Sequence, residues 1–225
     1  DEVSHDLWRA FRKAVKGCNA ECIIIGENWH DASNYLRGDQ YDSIMNYAFT
    51  KACLDYFATG AANAEQTAWK LNDILARNTD TVNSMMLNLL DSHDTHRFFT
   101  EVGMDREKMA AALHLLFLFP GMPCIFYGTE FYMEGGYDPD CRRCMDWSGY
   151  EAGRYDEPVQ LIQKLVALRR KYGLADAETV ITAQSEILIV KRRLKEIELS
   201  LYINLSDQEA AVDGRIVRAH SYLLL

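Results

Sequence analysis

The stretch Ile23-Ile24-Ile25-Gly26-Glu27-Asn28-Trp29-His30 constrains the chain most, because three consecutive β-branched apolar residues run straight into a carboxylate, an indole and an imidazole. An unbroken isoleucine run is not the half-wet alternation of an antiparallel strand. It predicts a strand covered on both faces, as in a parallel sheet with helices packed outside it. Glu27 then falls at the C-terminal end of that strand, where α/β barrels and open α/β sheets keep their active sites.

The rest of the chain repeats the unit. Leu7, Trp8, Phe11 and Val15 are spaced as one face of an amphipathic helix over 6–16, which Gly17 should end. Further strands are predicted over 41–47, 84–90 and 123–127, and helices over 48–59, 67–77, 105–119 and 158–172. Strands alternating with helices, each strand ending in polar residues, specify a parallel sheet built by right-handed crossovers. Four such units make either half of a closed (β/α)₈ barrel, which takes eight, or a small doubly wound sheet. Beyond residue 174 the texture changes to short runs at 178–183, 186–193, 196–204 and 217–224. These predict a small antiparallel β-sandwich with one wet face carrying Lys191, Arg192 and Arg193. The expected class is α/β, with a half-barrel over 1–174 and an all-β domain over 175–225.

A net charge of -9 argues against a nucleic-acid footprint, and no basic stripe with interleaved aromatics is present. Cysteines 18, 22, 53, 124, 141 and 144 are scattered through apolar and helical contexts, which suits reduced thiols and a cytoplasmic location. With no charged-then-apolar leader and no apolar run near ~20 residues, neither export nor membrane spanning is expected. Asp1-Glu2-Val3, without an initiator methionine, reads as the interior of a longer sequence.

Glu27, His93, Asp94 and Glu130 all lie at or just past predicted strand ends, so they should meet at one face. Paired carboxylates there, one protonated by partial burial and one ionised, are what acid-catalysed glycosidic cleavage needs. Trp29, Tyr35, Tyr47 and Tyr127 offer flat surfaces for sugar rings. Any one of these carboxylates alone is better read as a helix cap or a solvated loop; it is the set of them at strand ends that favours a site.

The segments Ile25-Gly26-Glu27-Asn28-Trp29-His30-Asp31-Ala32, Leu89-Leu90-Asp91-Ser92-His93-Asp94-Thr95 and Gly121-Met122-Pro123-Cys124-Ile125-Phe126-Tyr127-Gly128, followed by 134–143, together resemble the α-amylase family, glycoside hydrolase family 13. The branch resembled is that of neopullulanases, cyclomaltodextrinases and maltogenic amylases, over roughly 1–172. The resemblance implies barrel strands five to eight and the family's C-terminal β domain. It implies Glu27 as general acid/base, Asp94 as transition-state stabiliser and His93 as a ligand of sugar hydroxyls. Trp29 would stack on the leaving-group sugar, His30 would be a further substrate-binding residue, and Asp138 and Arg142 would line the donor side. The implied partner is an α-glucan oligosaccharide; no cofactor and no metal is implied.

The family's nucleophilic aspartate lies in an Arg-x-Asp strand that would precede residue 1. Arg154-Tyr155-Asp156 has those letters, but no apolar strand precedes it, and Asp156 reads as a helix cap near Pro158. The expectation is therefore a chain catalytically incomplete alone, which self-associates through its open fifth and eighth strands or as a dimer of the parent enzyme. The competing reading is a non-catalytic carbohydrate-binding or scaffold protein derived from the same fold. Glu27-x-x-His30 as a di-iron motif and Cys141-x-x-Cys144 as half a zinc site each lack the further ligands such centres need.

Overall fold

Burial of Ile24 against the half-buried Trp8 and Val15 seats the first helix on the first strand and starts the α/β half of the chain. The computed structural model describes residues 2–225. Helix α1 (His5–Cys18) is capped by the Ser4 hydroxyl and passes through Gly17 before ending at Asn19. Asp42 pins it down, accepting from Arg12 at 2.8 Å, Lys16 at 2.9 Å and the Ile24 amide at 2.9 Å.

Strand β1 (Ile25–Gly26) pairs in parallel with β2 (Ser43–Ile44). After α2 (Tyr47–Cys53), a π-helical turn (Leu54–Ala58), α3 (Ala64–Ala76) and α4 (Asp80–Met85), strand β3 (Leu87–Asn88) pairs in parallel with a later strand, β4 (Met122–Pro123). A bridge from Met45 to Leu87 joins the two pairs, so the order is β1-β2-β3-β4, all parallel. Between β3 and β4 lie α5 (Phe98–Glu101) and α6 (Arg106–Leu118), the latter buried on every side from Met109 onward. After β4 come α7 (Trp147–Glu151) and α8 (Asp156–Tyr172).

Two expectations need correction. The strands are shorter than the apolar runs, because 84–85 belong to α4 and 124–127 leave the sheet. The isoleucine run is not covered on both faces: Ile24 is buried, whereas Ile23 and Ile25 are 53% and 45% exposed. Among the described residues β1 has a neighbour on one side only.

Buried asparagines lock the strand ends together. The Asn46 side-chain amide donates to Asn88 Oδ1 at 2.8 Å, and that of Asn88 donates to the Pro120 carbonyl at 2.8 Å. Gly121, at φ 116°, is required beside them, since a Cβ would lie 2.6 Å from Asn88 Nδ2.

The C-terminal sheet runs β5 (Glu178–Gln184), β6 (Ile187–Leu194), β7 (Ile197–Asn204) and β10 (Ser221–Leu224), antiparallel in the order β10-β7-β6-β5. The hairpin of β8 (Ala210–Val212) and β9 (Arg215–Val217) covers part of its outer face, where Ile187, Ile189 and Tyr202 meet Val212 and Val217. Its inner face shares one core with α2, α3 and α6 through Leu188, Val190, Leu201 and Ile203. The wet face predicted for 190–193 is therefore wrong at Arg192, which points inward and is buried. Its guanidinium donates to the carbonyls of Leu118 and Leu174 and, at 3.0 Å, of Ala177. These include the free carbonyl at the end of α6, where a cation is favourable. Burial pulls this guanidinium down to about 10.

Candidate active site

Short parallel strands in register deliver the residues that follow them to one edge. Glu27 follows β1, Tyr47 follows β2, and His93 and Asp94 follow β3 after the buried pair Leu89-Leu90. Ligating atoms of Glu27, His93 and Asp94 all lie within 4.8 Å of one another. His93 Nε2 stands 3.1 Å from Asp94 Oδ2. Among the described residues this is also the one convergence of three metal-ligating side chains, but Arg142 Nη2 already engages Asp94 Oδ1 at 3.2 Å, so a cation there would face a fixed positive charge.

Arg142 ties the cluster to its surroundings. Its Nε donates to the His93 carbonyl at 3.0 Å and pairs with Asp138 Oδ1 at 2.8 Å, so Asp138, Arg142 and Asp94 form a continuous charged row. Cys141 donates its thiol to the same His93 carbonyl at 3.1 Å. All six cysteines are free, and Cys141 and Cys144 are unpaired, one buried and one exposed.

On the other flank the Trp29 ring stacks on Tyr47, centroids 3.8 Å apart and 14° from parallel. The Tyr47 hydroxyl donates to Glu27 Oε1 at 3.2 Å and lies 3.2 Å from Ser92 Oγ. Since Ser92 Oγ accepts from the Asp94 amide at 3.2 Å, its own proton is free to go to Tyr47, giving a directed chain from Asp94 to Ser92 to Tyr47 to Glu27. Burial, and then the negative fields of Glu27 and Asp94, push the Tyr47 phenol up to about 12, which keeps it a donor. Sequence reasoning found Tyr47 as a ring but missed its hydroxyl.

Beneath the cluster Arg97 is fully buried. It donates to the carbonyls of Cys141 and Tyr127, each at 2.7 Å, and lies over the Phe126 ring at 4.1 Å. Beside it the Asp91 carboxyl accepts from the Phe98 amide and the Thr129 hydroxyl, yet burial holds it above the usual carboxylate range. These two residues brace the loops that carry Asp94 and Arg142. They too were missed.

Not every predicted residue converges. Glu130 is outside the cluster, with a buried Oε2 that has no partner and a field felt at Asp91. Tyr35 stacks on His5 and Tyr41, away from Glu27. Tyr127 lies against Arg97 and donates to the Arg143 carbonyl. Asp156 begins α8 without capping it through its side chain, because Tyr155 holds the cap position. His30 lies beside Trp29 in an adjoining groove and is not among the three converging side chains. A cavity of about 770 Å³ is at the opposite ends of the strands, lined by Ile23, Tyr41 and Met85, and holds none of the cluster.

The alpha amylase catalytic-domain family matches residues 2–199. A cyclomaltodextrinase from Thermoanaerobacter pseudethanolicus is 40% identical over 217 residues, covering 94% of this chain and 37% of that protein. Neopullulanase 2 from Thermoactinomyces vulgaris is 42% identical over 175 residues, covering 76% of this chain and 30% of that protein. Among solved structures, cyclic alpha-maltosyl-(1→6)-maltose hydrolase from Arthrobacter globiformis superposes with a TM-score of 0.91 at 26% identity, over 99% of this chain and 53% of that chain. The chain thus spans 30 to 37% of the length of these two curated relatives.

Proposed function

The chain belongs to the alpha-amylase family, and from that premise we propose that it forms the acid/base side of the active site of a retaining α-glucan hydrolase. Glu27 protonates the glycosidic oxygen and later takes a proton from water; Asp94 stabilises the oxocarbenium-like transition state; His93 holds sugar hydroxyls. Trp29 stacks on the leaving-group sugar, His30 is a further substrate-binding residue, and Asp138 and Arg142 line the donor side. The α-1,4- and α-1,6-linked oligosaccharides of cyclodextrins, pullulan and starch are the substrate class, in keeping with the cyclomaltodextrinase and neopullulanase among its relatives.

The observation that carries this reading is the convergence of Glu27, His93 and Asp94 within 4.8 Å at adjacent strand ends. A retaining mechanism also needs a carboxylate that bonds to the sugar, and among the described residues no third carboxylate joins the cluster. We assign the nucleophile to a segment outside this chain. Residues 1–174 then correspond to barrel strands five to eight and 175–225 to the β domain, with the margin of β1 open to a further strand or a second copy.

The chain alone should release no reducing sugar from cyclodextrin, pullulan or starch, whereas a version extended upstream by an Arg-x-Asp strand should. Turnover by the 225 residues alone that Glu27→Gln abolishes would overturn the assignment of the nucleophile. Glucan binding without turnover in both forms would favour the non-catalytic reading. A monomeric mass by light scattering would dismiss self-association.

A further inference from the structure

Trp69 sits on α3 with 67% of its surface in water, more than any other tryptophan of the chain. A large apolar ring held in solvent contributes little to the core, and here it has a neighbouring concavity. Trp69 lines a groove of about 390 Å³ together with Trp29, His30, Tyr47 and Asp55. That volume is within the usual range for small-molecule sites. Trp69 and Asp73 are one helical turn apart and so share a face of α3.

The chemistry of the groove is specific. Its indoles are flanked by ion pairs, Asp55 with Lys51 at 3.3 Å and Lys70 at 2.6 Å, and Asp73 with Arg77. A flat π-face beside charged donors and acceptors matches a pyranose, which presents an apolar C–H face and a rim of hydroxyls. A purely apolar peptide would leave those charges desolvated. The groove adjoins the candidate active site through shared residues: Trp29 and Tyr47 both line it, and the Tyr47 hydroxyl reaches Glu27.

We infer that Trp69 is the platform of an outlying subsite for an α-glucan chain, reached from Glu27 past Trp29 on the leaving-group side. This rests on the reading of Glu27 as the acid/base. Neither the sequence pattern nor any relative's name assigns Trp69 a role. A short sugar that fills only the positions beside Glu27 should not touch it, and a longer chain should.

Calorimetry on the 225-residue protein with maltose and with maltoheptaose tests this. Trp69→Ala should weaken maltoheptaose binding about tenfold and leave maltose unchanged, and Trp69→Phe, which keeps a ring, should retain most of the affinity. Trp69→Ala binding maltoheptaose like the unsubstituted protein overturns the subsite while leaving the active-site reading intact. No binding of either sugar by the unsubstituted protein overturns both. Weaker maltoheptaose binding in Trp69→Ala together with unchanged binding in Trp29→Ala overturns the continuity of the groove with the active site.

Discussion

The Tyr47 hydroxyl donates to Glu27 Oε1 across 3.2 Å while its ring lies flat on Trp29. One side chain therefore holds both a carboxylate and an indole, by different parts of itself. Tyr47→Phe should remove the hydrogen bond and keep the stack. We expect a loss of about 1 kcal/mol in urea unfolding, with indole emission unchanged. Tyr47→Ala should shift the emission as well; an emission change in Tyr47→Phe would show that the hydroxyl, not the ring contact, orients Trp29.

Arg142 spans Asp138 and Asp94 and also holds the His93 carbonyl. Its planar fork makes these contacts at once, which a point charge cannot reproduce. Arg142→Lys should therefore weaken maltooligosaccharide binding nearly as much as Arg142→Ala, about tenfold. Full affinity in the lysine variant would mean that positive charge alone is needed there.

What could be read in advance divides along the chain's own range of interactions. The Glu27, His93 and Asp94 strand ends were legible because strand period and polar termination are local signals. The start of α6 at Asp105 was legible in the same way, whereas the capping box of Asn63 with Gln66 begins α3 three residues before the predicted start at 67. Arg97 and Arg192 were not legible, because each is buried only through carbonyls at least 15 residues away. Between Lys191 and Arg193, Arg192 looks like a solvent position until the carbonyls it satisfies are known. Glu130 failed for the opposite reason: the strand before it stops at Pro123, and the following turns carry Glu130 away from the face it was assigned.

Arg192 links the C-terminal sheet to the end of α6 through the carbonyls of Leu118, Leu174 and Ala177. Arg192→Ala leaves these buried oxygens unsatisfied and should cost about 3–5 kcal/mol. Because the sheet and the helices share one apolar core, the loss should appear as an earlier single transition in denaturant rather than as separate unfolding of the sheet. Two resolved transitions in the variant would show that the two halves are coupled by this side chain more than by the core.

Asp42 ties α1 to β1 and gives the clearest pH dependence. Burial opposes its charge, but the Ile24 amide, Lys16 and Arg12 outweigh that and hold its carboxyl below the ordinary value of 3.8. A carboxyl depressed in the folded state contributes stability above its unfolded value and loses it as pH falls through the folded one. Asp42→Asn should therefore destabilise by about 1–3 kcal/mol at pH 7. The gap to the unsubstituted protein should narrow only as the pH drops below about 4. Urea midpoints at pH 7, 5 and 3 check this; a gap equally large at pH 3 would place the stabilisation in the shape of the side chain rather than in its charge.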